Sequence, residues 1–202
     1  QTGCAPHTST WLRSLAERDP YFTETGVIML AERASVTVPH PVFDQMPRAP
    51  YRFHELLGTI WREPIHGHLA PGERARTMAC LLLEGADGRA LVTELVERSG
   101  LAPQVWLERF LGALFPPVLH YLHRYGASFT PHGENVVLVF DGDETPVRVA
   151  LKDFGSDVEL LPFDLPEYAE IPDHVRSVLH RWKPEELAHS VLSAICAGHL
   201  RF

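Results

Sequence analysis

Three polar residues, His132, Asn135 and Asp153, have the types and spacing that metal and phosphate chemistry needs. The first two lie in a loop, PHGEN, that enters an apolar segment, and Asp153 lies in a second loop, KDFGSD, that leaves the next one. Mg²⁺ prefers hard oxygen ligands, usually one or two from the protein, with phosphates and water completing its shell. Asn135 and Asp153 could supply those two ligands, and His132 could contact a phosphate oxygen on which charge develops during phosphoryl or adenylyl transfer.

Two short apolar segments are predicted to position these residues. Val136–Phe140 (VVLVF) and Val147–Leu151 (VRVAL) are typical of strands, and residues 141–146 (DGDETP) join them as a hairpin with a turn signal at Asp141-Gly142. Apolar side chains on both faces predict that the hairpin is buried on both sides.

Antiparallel pairing brings the start of one strand beside the end of the other, so Asn135 and Asp153 are expected at one end of this hairpin, with His132 nearby. Arg148 and Lys152 flank the site. Alternation along the strand predicts that Lys152 points away from Asp153, which leaves one of the two cations to face the ligand. The polar loop residues also have simpler interpretations, a surface loop for HxxN and a turn or helix cap for the aspartate.

Helical patterns dominate the rest of the chain, so the predicted fold class is α+β, helix-rich, with a small antiparallel sheet (the hairpin at about 136–151) packed by helices. The residues Gly26–Val38 and Gly58–Glu63 are predicted to be extended, and Pro39–Pro50 is predicted to be a loop. The adjacent prolines 116 and 117 are predicted to kink or split the longest helix. The predicted helices are Thr10–Arg18, Glu73–Glu84, Ala90–Arg98, Pro103–Tyr125, Asp173–Trp182 and Pro184–Ala197.

Composition excludes several classes of protein. The net charge is −8 and the 18 Lys and Arg residues are scattered, whereas a nucleic-acid partner requires a concentrated basic surface. No apolar stretch approaches the ~20 residues that cross a bilayer, so no membrane partner is expected. The cysteines, Cys4, Cys80 and Cys196, are too far apart for a zinc ribbon or a locally held iron–sulfur cluster, and a reduced cytoplasmic setting fits them best.

The stretch YGASFTPHGENVVLVFDGDETPVRVALKDFGSD, residues 125–157, resembles the signature of the IucA/IucC family, the NRPS-independent siderophore synthetases. The family pattern is an HxQN loop, a hydrophobic strand, a turn, a second strand with an arginine, and an RDF sequence. Two further stretches, VIMLAERAS at 27–35 and WREP at 61–64, also resemble the family.

The resemblance implies an enzyme of the acid–amine ligase type that uses ATP and Mg²⁺. It would adenylate a carboxylate of citrate or a similar polycarboxylic acid, join the acyl group to an amine or hydroxyl nucleophile, and release AMP. By the same resemblance His132 is the catalytic residue and Asn135 and Asp153 are the metal ligands. Glu134 stands where glutamine is usual, and Lys152 replaces an arginine and loses its bidentate geometry. The implied cofactor-binding residues are His132, Glu134, Asn135, Arg148 and Asp153.

Family members also carry an N-terminal Ser/Thr-Arg-Thr phosphate-binding motif, to which residues 9–14 of this chain have only a loose likeness. We therefore expect this piece to be part of a larger synthetase fold and to be inactive alone. Residues 1–70 would be a partial α/β segment that continues from a missing N-terminal portion, and residues 71–202 a helical, palm-like region that carries the hairpin. A homodimer is a further expectation from the resemblance.

Two other functions remain open at this point. A kinase-like phosphotransferase also uses an asparagine and an Asp-Phe-Gly to hold Mg²⁺, but no catalytic aspartate lies in the HGEN loop and no glycine-rich loop precedes it. A non-catalytic assembly role would use the apolar C-terminal segment, residues 187–200. The region has also been linked by name to ferric reductases, a weak interpretation because an iron–sulfur cluster needs clustered cysteines. Arg62 and Glu63 of WREP are interpreted as structural ion-pair residues, and the histidine pairs 66/68 and 120/123 as core or solvated side chains.

Overall fold

This computed structural model describes residues 2–38, 40–46, 57–155 and 157–201. Within these residues, a central sheet contains four strands: β1 (Ile28–Met29), β4 (Arg74–Thr77), β6 (Val136–Phe140) and β7 (Pro146–Leu151). Their order across the sheet is β1-β7-β6-β4. Strand β6 pairs antiparallel with both β4 and β7, and β1 adds to β7 in parallel. The predicted hairpin is therefore confirmed as β6–β7, and the helix-rich α+β class is confirmed with one parallel edge.

A short polar loop closes the hairpin. The Asp141 carboxylate accepts hydrogen bonds from the backbone N–H groups of Asp143 and Thr145, at 2.9 and 3.0 Å. The residue that adopts a left-handed conformation is Glu144, with φ 59°, and not Gly142. The turn signal at Asp141-Gly142 thus located the loop, while the side-chain contacts of Asp141 set its shape.

The hairpin is buried on both faces, as its sequence predicted. Leu138, Phe140 and Leu151 enter the main core, and Val139 and Ala150 enter a smaller cluster on the opposite face that is covered by Ile65 and Leu69. Full burial of such side chains contributes roughly 1.5–3 kcal/mol each. The hairpin is therefore a rigid support for the loops at its ends.

Helices cover the main core side of the sheet. Helix α1 (Ala5–Arg18) is followed by α2 (Pro20–Thr25), and α5 (Pro103–Tyr125) packs against β7. The Tyr121 hydroxyl donates to the carbonyl of Leu12 at 2.8 Å, which fixes α5 to α1. His120 and Tyr125 contact the Asp19 carboxylate at 2.7 and 2.8 Å, so His120 is a paired histidine between α2 and α5.

The other described elements surround this centre. Strands β2 (Glu32–Thr37) and β3 (Gly58–Arg62) form an antiparallel ribbon, and β5 (Ala127–Phe129), β8 (Val158–Leu160) and β9 (His180–Arg181) form a small second sheet. The remaining helices are α3 (Pro41–Asp44), α4 (Leu91–Ser99), α6 (Asp173–Arg176) and α7 (Pro184–Leu192), which continues as a π-helix over Ser193–Leu200, with 3₁₀ turns at Thr2–Cys4, Ile65–His68, Met78–Leu82 and Pro166–Glu170.

The predicted helix Glu73–Glu84 is wrong. Residues 74–77 form β4, whose backbone pairs with β6, and only Met78–Leu82 turn, as a 3₁₀-helix. The apolar spacing that indicated an α-helix buries Met78 and Leu81 equally well from this short turn. Pairing with β6 overrides the local pattern, because the strand partner is about 60 residues away and leaves no local signal.

Four further predictions need correction in whole or in part. The single strand over Gly26–Val38 is divided into β1 and β2, which join different sheets. Of the predicted kink or split at Pro116 and Pro117, the split is wrong, because helix α5 runs unbroken through both residues. The predicted helix Asp173–Trp182 ends at Arg176, and its last part is strand β9. Of the predicted loop Pro39–Pro50, residues 41–44 form α3, and residues 39 and 47–50 lie outside the described residues.

The division of the chain near residue 70 stays a prediction, and β1 and β4, from either side of that point, join the same sheet. In the part of the chain that the structure describes, no helix is both long and apolar enough to cross a membrane.

Gly126 provides a test of how closely the helices and the second sheet are packed. It caps α5 with φ 54°, and an added Cβ would lie 2.3 Å from Leu161 Cδ1 and 2.8 Å from the Tyr168 hydroxyl. Gly100 caps α4 with φ 68° but has nothing within 4 Å of such a Cβ. We expect Gly126→Ala to lower the free energy of unfolding by ~1–3 kcal/mol more than Gly100→Ala, measured by denaturant titration. Equal losses would show that only backbone strain matters at Gly126.

Candidate functional site

The register of the hairpin brings the two polar loops together. Val136 pairs with Leu151, and the next backbone contact is a 3.1 Å hydrogen bond from Lys152 N–H to the Asn135 carbonyl. Asp153 follows immediately. The predicted proximity of Asn135 and Asp153 at one end of the hairpin is therefore confirmed.

His132 and Glu134 lie in the turn that enters β6. The backbone N–H groups of Asn135 and Val136 donate to the His132 carbonyl at 3.0 and 3.2 Å, so the turn places His132 at the same end of the hairpin. The backbone N–H of Glu134 donates to His132 Nδ1 at 3.2 Å. A neutral ring that accepts at Nδ1 carries its proton on Nε2, and Nε2 is then the atom that can donate to a ligand. The Glu134 side chain is exposed.

Asn135 is buried, with 6% of its surface exposed. Its amide nitrogen donates to the Thr130 carbonyl at 3.1 Å. This contact fixes the orientation of the amide group, whose oxygen is attached to the same planar carbon as the nitrogen and therefore faces a different direction from it. A side-chain amide oxygen is one of the hard ligands that Mg²⁺ accepts.

Asp153 is a backbone exception. It has φ 66°, a left-handed conformation that costs most non-glycine residues 1–3 kcal/mol and is often retained at functional sites. Its two carboxylate oxygens form ion pairs, Oδ1 with Arg62 and Oδ2 with Lys152. The prediction that Lys152 points away from Asp153 is therefore wrong, because β7 ends at Leu151 and strand alternation no longer applies after it.

Arg148 lies apart from the other predicted site residues. It faces Val139 in the middle of the hairpin, five residues before Asp153, which corresponds to about 16 Å along an extended strand. Its guanidinium donates to Glu73 at 2.6 Å and to the His68 carbonyl at 2.9 Å. It lines a separate cavity of about 300 Å³, together with Arg13 and other residues. The structure thus brings His132, Glu134, Asn135 and Asp153 to one end of the hairpin and leaves Arg148 elsewhere.

Two residues at this end, Glu32 and Arg62, were not among the predicted site residues. Glu32, the first residue of β2, is 2% exposed and accepts hydrogen bonds from Arg62 Nε and from Asp153 N–H, both at 3.1 Å. Arg62, interpreted from the sequence as an ion-pair residue, does form ion pairs, with Glu32 and Asp153. Both lie in the segments AERAS and WREP, which carried the family resemblance, and that was the available signal.

Glu63, beside Arg62, is the centre of a second ion-pair group. It contacts Arg13 at 2.7 Å, Arg33 at 2.9 Å and His68 at 3.5 Å. Burial raises the pKa of the Glu63 carboxyl. The hydrogen bond from Arg33 and the nearby side chains of Arg13 and His68 lower it by more, so the pKa of Glu63 lies below its usual range. The interpretation of Glu63 as a structural ion-pair residue agrees with these contacts.

The donor set suits a hard cation with few protein ligands. Asn135 and Asp153 offer one amide oxygen and one carboxylate, and within the described residues no group of three or more His, Cys, Asp or Glu side chains is placed to hold a metal. A hard ion here would complete its shell with phosphate and water. Because Asp153 already pairs with two cations, such an ion would compete with them for the carboxylate oxygens.

Two family matches cover most of the chain. Residues 1–83 match the IucA / IucC family, and residues 104–202 match a family described as ferric iron reductase FhuF-like transporter. The rhizobactin siderophore biosynthesis protein RhbF of Rhizobium meliloti is 38% identical over 93% of this chain. The aerobactin synthase of Vibrio mimicus is 36% identical over 98%. A citryl-spermidine/3,4-dihydroxybenzoyl-citryl-spermidine:spermidine ligase of Bacillus anthracis is 32% identical over 85%.

The chain spans about a third of the length of these relatives, 31% of the first and 33% of the second. Among solved structures, the aerobactin synthetase IucC of Klebsiella pneumoniae superposes with a TM-score of 0.84 at 32% identity, over 98% of this chain and 34% of that one. The ATP-bound aerobactin synthetase IucA of the same organism superposes with a TM-score of 0.67 at 13% identity, over 96% of this chain and 35% of that one, and shares the fold.

The Glu63 ion pairs give a pH-dependent prediction. A carboxyl whose folded pKa is lowered stabilises the fold above its unfolded pKa, and the contribution is lost as the pH falls through the folded pKa. We expect Glu63→Gln to lower the free energy of unfolding at pH 7 by roughly 0.5–1 kcal/mol. The difference from the unsubstituted chain should shrink as the pH falls from the unfolded pKa of glutamate, about 4.3, through the lower folded pKa of Glu63.

Denaturant titrations at several pH values measure this difference. The control is Glu17→Gln, because Glu17 also pairs with Arg13 but its side chain is 63% exposed. A loss for Glu63→Gln that is equally large at pH 3 and pH 7 would contradict the assignment.

Proposed function

Because the chain belongs to the IucA / IucC family, we propose that the protein carrying it is an ATP-dependent siderophore synthetase. In the proposed reaction a carboxylate of citrate or a similar polycarboxylic acid attacks the α-phosphate of ATP, which releases pyrophosphate and forms an acyl-adenylate. An amine or hydroxyl nucleophile then takes the acyl group and AMP leaves. The observation that carries the proposal is the meeting of His132, Asn135 and Asp153 at one end of a buried hairpin. The names of the relatives, which include a siderophore biosynthesis protein, a synthase and a ligase, agree with it.

In the proposed site, Asn135 and Asp153 hold Mg²⁺ and His132 contacts the reacting phosphate or carboxylate oxygen. Bound Mg²⁺ would supply neutralisation of the charge on the phosphate oxygens. His132 would donate from Nε2, since Nδ1 already accepts from the backbone. The contact between Asn135 and Thr130 holds the amide in place before the ligand arrives, so Asn135 loses little conformational entropy on binding.

Glu134 and Arg148 have different places in this proposal. Glu134 adds a negative charge at the edge of the site, next to His132, and we propose that it contacts the nucleotide or the amine substrate and not the phosphates. Arg148 is held by Glu73 about 16 Å along the strand from Asp153, so we propose that it supports the fold beside the site.

The fold match supports a synthetase over the kinase-like phosphotransferase, since IucC matches 98% of the chain and the catalytic aspartate of a kinase has no counterpart in the HGEN loop. The FhuF-like match over residues 104–202 does not by itself support iron–sulfur chemistry, because the cysteines at 4, 80 and 196 form no metal-holding group within the described residues. We propose the cytoplasm, where ATP is supplied, as the compartment in which the enzyme works.

The reaction itself can be tested with the full-length protein. We expect AMP to form from ATP only when both a polycarboxylic acid such as citrate and an amine are present, with an amide product detected by mass spectrometry. His132→Ala should lower the rate of AMP formation on the order of 10²–10³-fold, the usual effect of removing one donor from a developing negative charge. His123→Ala, an exposed histidine on α5, is the matched control. ADP in place of AMP would contradict adenylation and favour the kinase-like alternative.

Metal-dependent nucleotide binding is a second test. We expect Asp153→Ala to weaken ATP binding in the presence of Mg²⁺ on the order of 10–100-fold, measured by calorimetry, because a ligand of the metal is lost. Withholding Mg²⁺ should weaken binding to the unsubstituted protein but change little for the variant. Asp143→Ala, an exposed aspartate in the loop at the opposite end of the hairpin, should bind like the unsubstituted protein. An unchanged Mg²⁺ dependence in Asp153→Ala would remove Asp153 from the metal site.

A further inference from the structure

A single buried carboxylate joins three separate parts of the chain at the proposed site. Glu32 receives hydrogen bonds on Oε2 from the Ser9 hydroxyl of α1 and from Phe154 N–H, the latter at 3.4 Å. On Oε1 it receives Arg62 Nε and Asp153 N–H, both at 3.1 Å. A buried charge with this many donors is well compensated, and an isolated one would cost several kcal/mol.

The guanidinium of Arg62 therefore bridges two carboxylates. Its Nε atom binds Glu32 inside the protein, and its Nη2 atom binds Asp153, whose side chain is 34% exposed. A planar guanidinium can serve both at once because its donors point in fixed, divergent directions. The contact with Glu32 is fixed, because Glu32 is buried and held by several hydrogen bonds. The contact with Asp153 competes with the metal that the proposed function places on that carboxylate.

The charges at this end of the hairpin constrain what happens on binding. Arg62 and Lys152 balance Glu32 and Asp153, so the four groups sum to zero. A divalent cation on Asp153 would be repelled by both neighbouring cations and would compete with them for the carboxylate oxygens. If Arg62 lost its Nη2 contact with Asp153, its Nε contact with Glu32 would still hold the guanidinium near the site. Its free N–H donors could then bind the polyphosphate on that cation.

We propose that Arg62 is a phosphate-binding residue of this site and that it exchanges Asp153 for a phosphate oxygen when metal and nucleotide bind together. The proposal rests on the proposed function, since it assumes a metal on Asp153 and a polyphosphate beside it. Glu32 is the positioning residue: it anchors Nε and the backbone of Asp153, and it does not contact the ligand. A purely structural Arg62 would instead keep its contact with Asp153 in every state.

If Arg62 exchanges Asp153 for a phosphate, removing Arg62 should strengthen the binding of a metal ion alone and weaken the binding of ATP with its metal. Both are measured with the full-length protein. In Arg62→Gln, Mn²⁺ without nucleotide, followed by electron paramagnetic resonance, should bind several-fold more tightly, because a competing cation has left Asp153. ATP with Mg²⁺, followed by calorimetry, should bind about 10–100-fold more weakly, because a charge-assisted contact to phosphate is lost. Binding of adenosine, which has no phosphate, should stay the same. A merely structural role would weaken every ligand or none.

Arg33→Gln is the matched control, since Arg33 is also an arginine of the β2–β3 ribbon but pairs with Glu63 and not with Asp153. Arg62→Lys keeps the charge but replaces the planar fork, whose Nε and Nη2 donors point in fixed, divergent directions, by one compact ammonium, so we expect about tenfold weaker binding of ATP with Mg²⁺. If Arg62→Gln does not fold, this variant decides the question alone, and unchanged affinity would overturn the proposal.

The outcomes separate this inference from the proposed function. If the unsubstituted protein binds no ATP, or Asp153→Ala binds it as well as the unsubstituted protein does, the nucleotide site itself is wrong and Arg62 has no phosphate to bind. If Asp153→Ala loses binding while Arg62→Gln binds both Mn²⁺ and ATP normally, the site stands and the exchange is wrong. If Arg62→Gln binds Mn²⁺ more tightly and ATP with Mg²⁺ more weakly, both the nucleotide site and the exchange are supported.

Discussion

The buried carboxylate of Glu32 is the interaction on which the proposed site depends. It receives donors from α1, from β3 and from the loop after β7, and these segments lie far apart in the sequence. Because an uncompensated buried charge costs several kcal/mol, the folded chain must bring all three segments to the same point. The position of Asp153 is therefore set by contacts on both sides of its backbone, the hairpin on one and Glu32 on the other.

This double constraint explains how Asp153 holds a left-handed conformation. The left-handed conformation, φ 66°, is unfavourable for most residues that carry a side chain, and aspartate tolerates it better than most. Here the hydrogen bond from Lys152 N–H to the Asn135 carbonyl fixes the residue before it, and the contacts of the Asp153 and Phe154 N–H groups with Glu32 fix the residue itself. With this left-handed conformation, the Asp153 carboxylate contacts Arg62 and Lys152 and no longer follows the alternation of side chains along β7.

The sequence predicted the parts of this arrangement that depend on neighbouring residues. Two apolar runs around DGDETP were enough to predict the hairpin, and antiparallel register then placed Asn135 near Asp153. Contacts between distant segments could not be predicted in the same way: nothing in residues 73–84 indicates that Arg74–Thr77 pairs with β6, and nothing near Glu32 indicates Ser9 or Asp153 as partners. The side chain of Lys152 was misplaced because strand alternation was extended one residue beyond the strand.

The ion pairs also explain how a chain with a net charge of −8 could receive an anionic ligand. At the proposed site each cation is already balanced by a carboxylate, so arginine and lysine side chains can be partly buried without repelling one another. A metal ion alone would compete with Arg62 for Asp153 and leave Arg62 with Glu32 as its remaining carboxylate, and a polyphosphate alone would compete with Asp153 for Arg62. When both bind, Asp153 gains the metal as Arg62 gains the phosphate, and no buried charge is left unpaired. In the proposed site, charge balance therefore favours the metal–nucleotide pair over either component by itself.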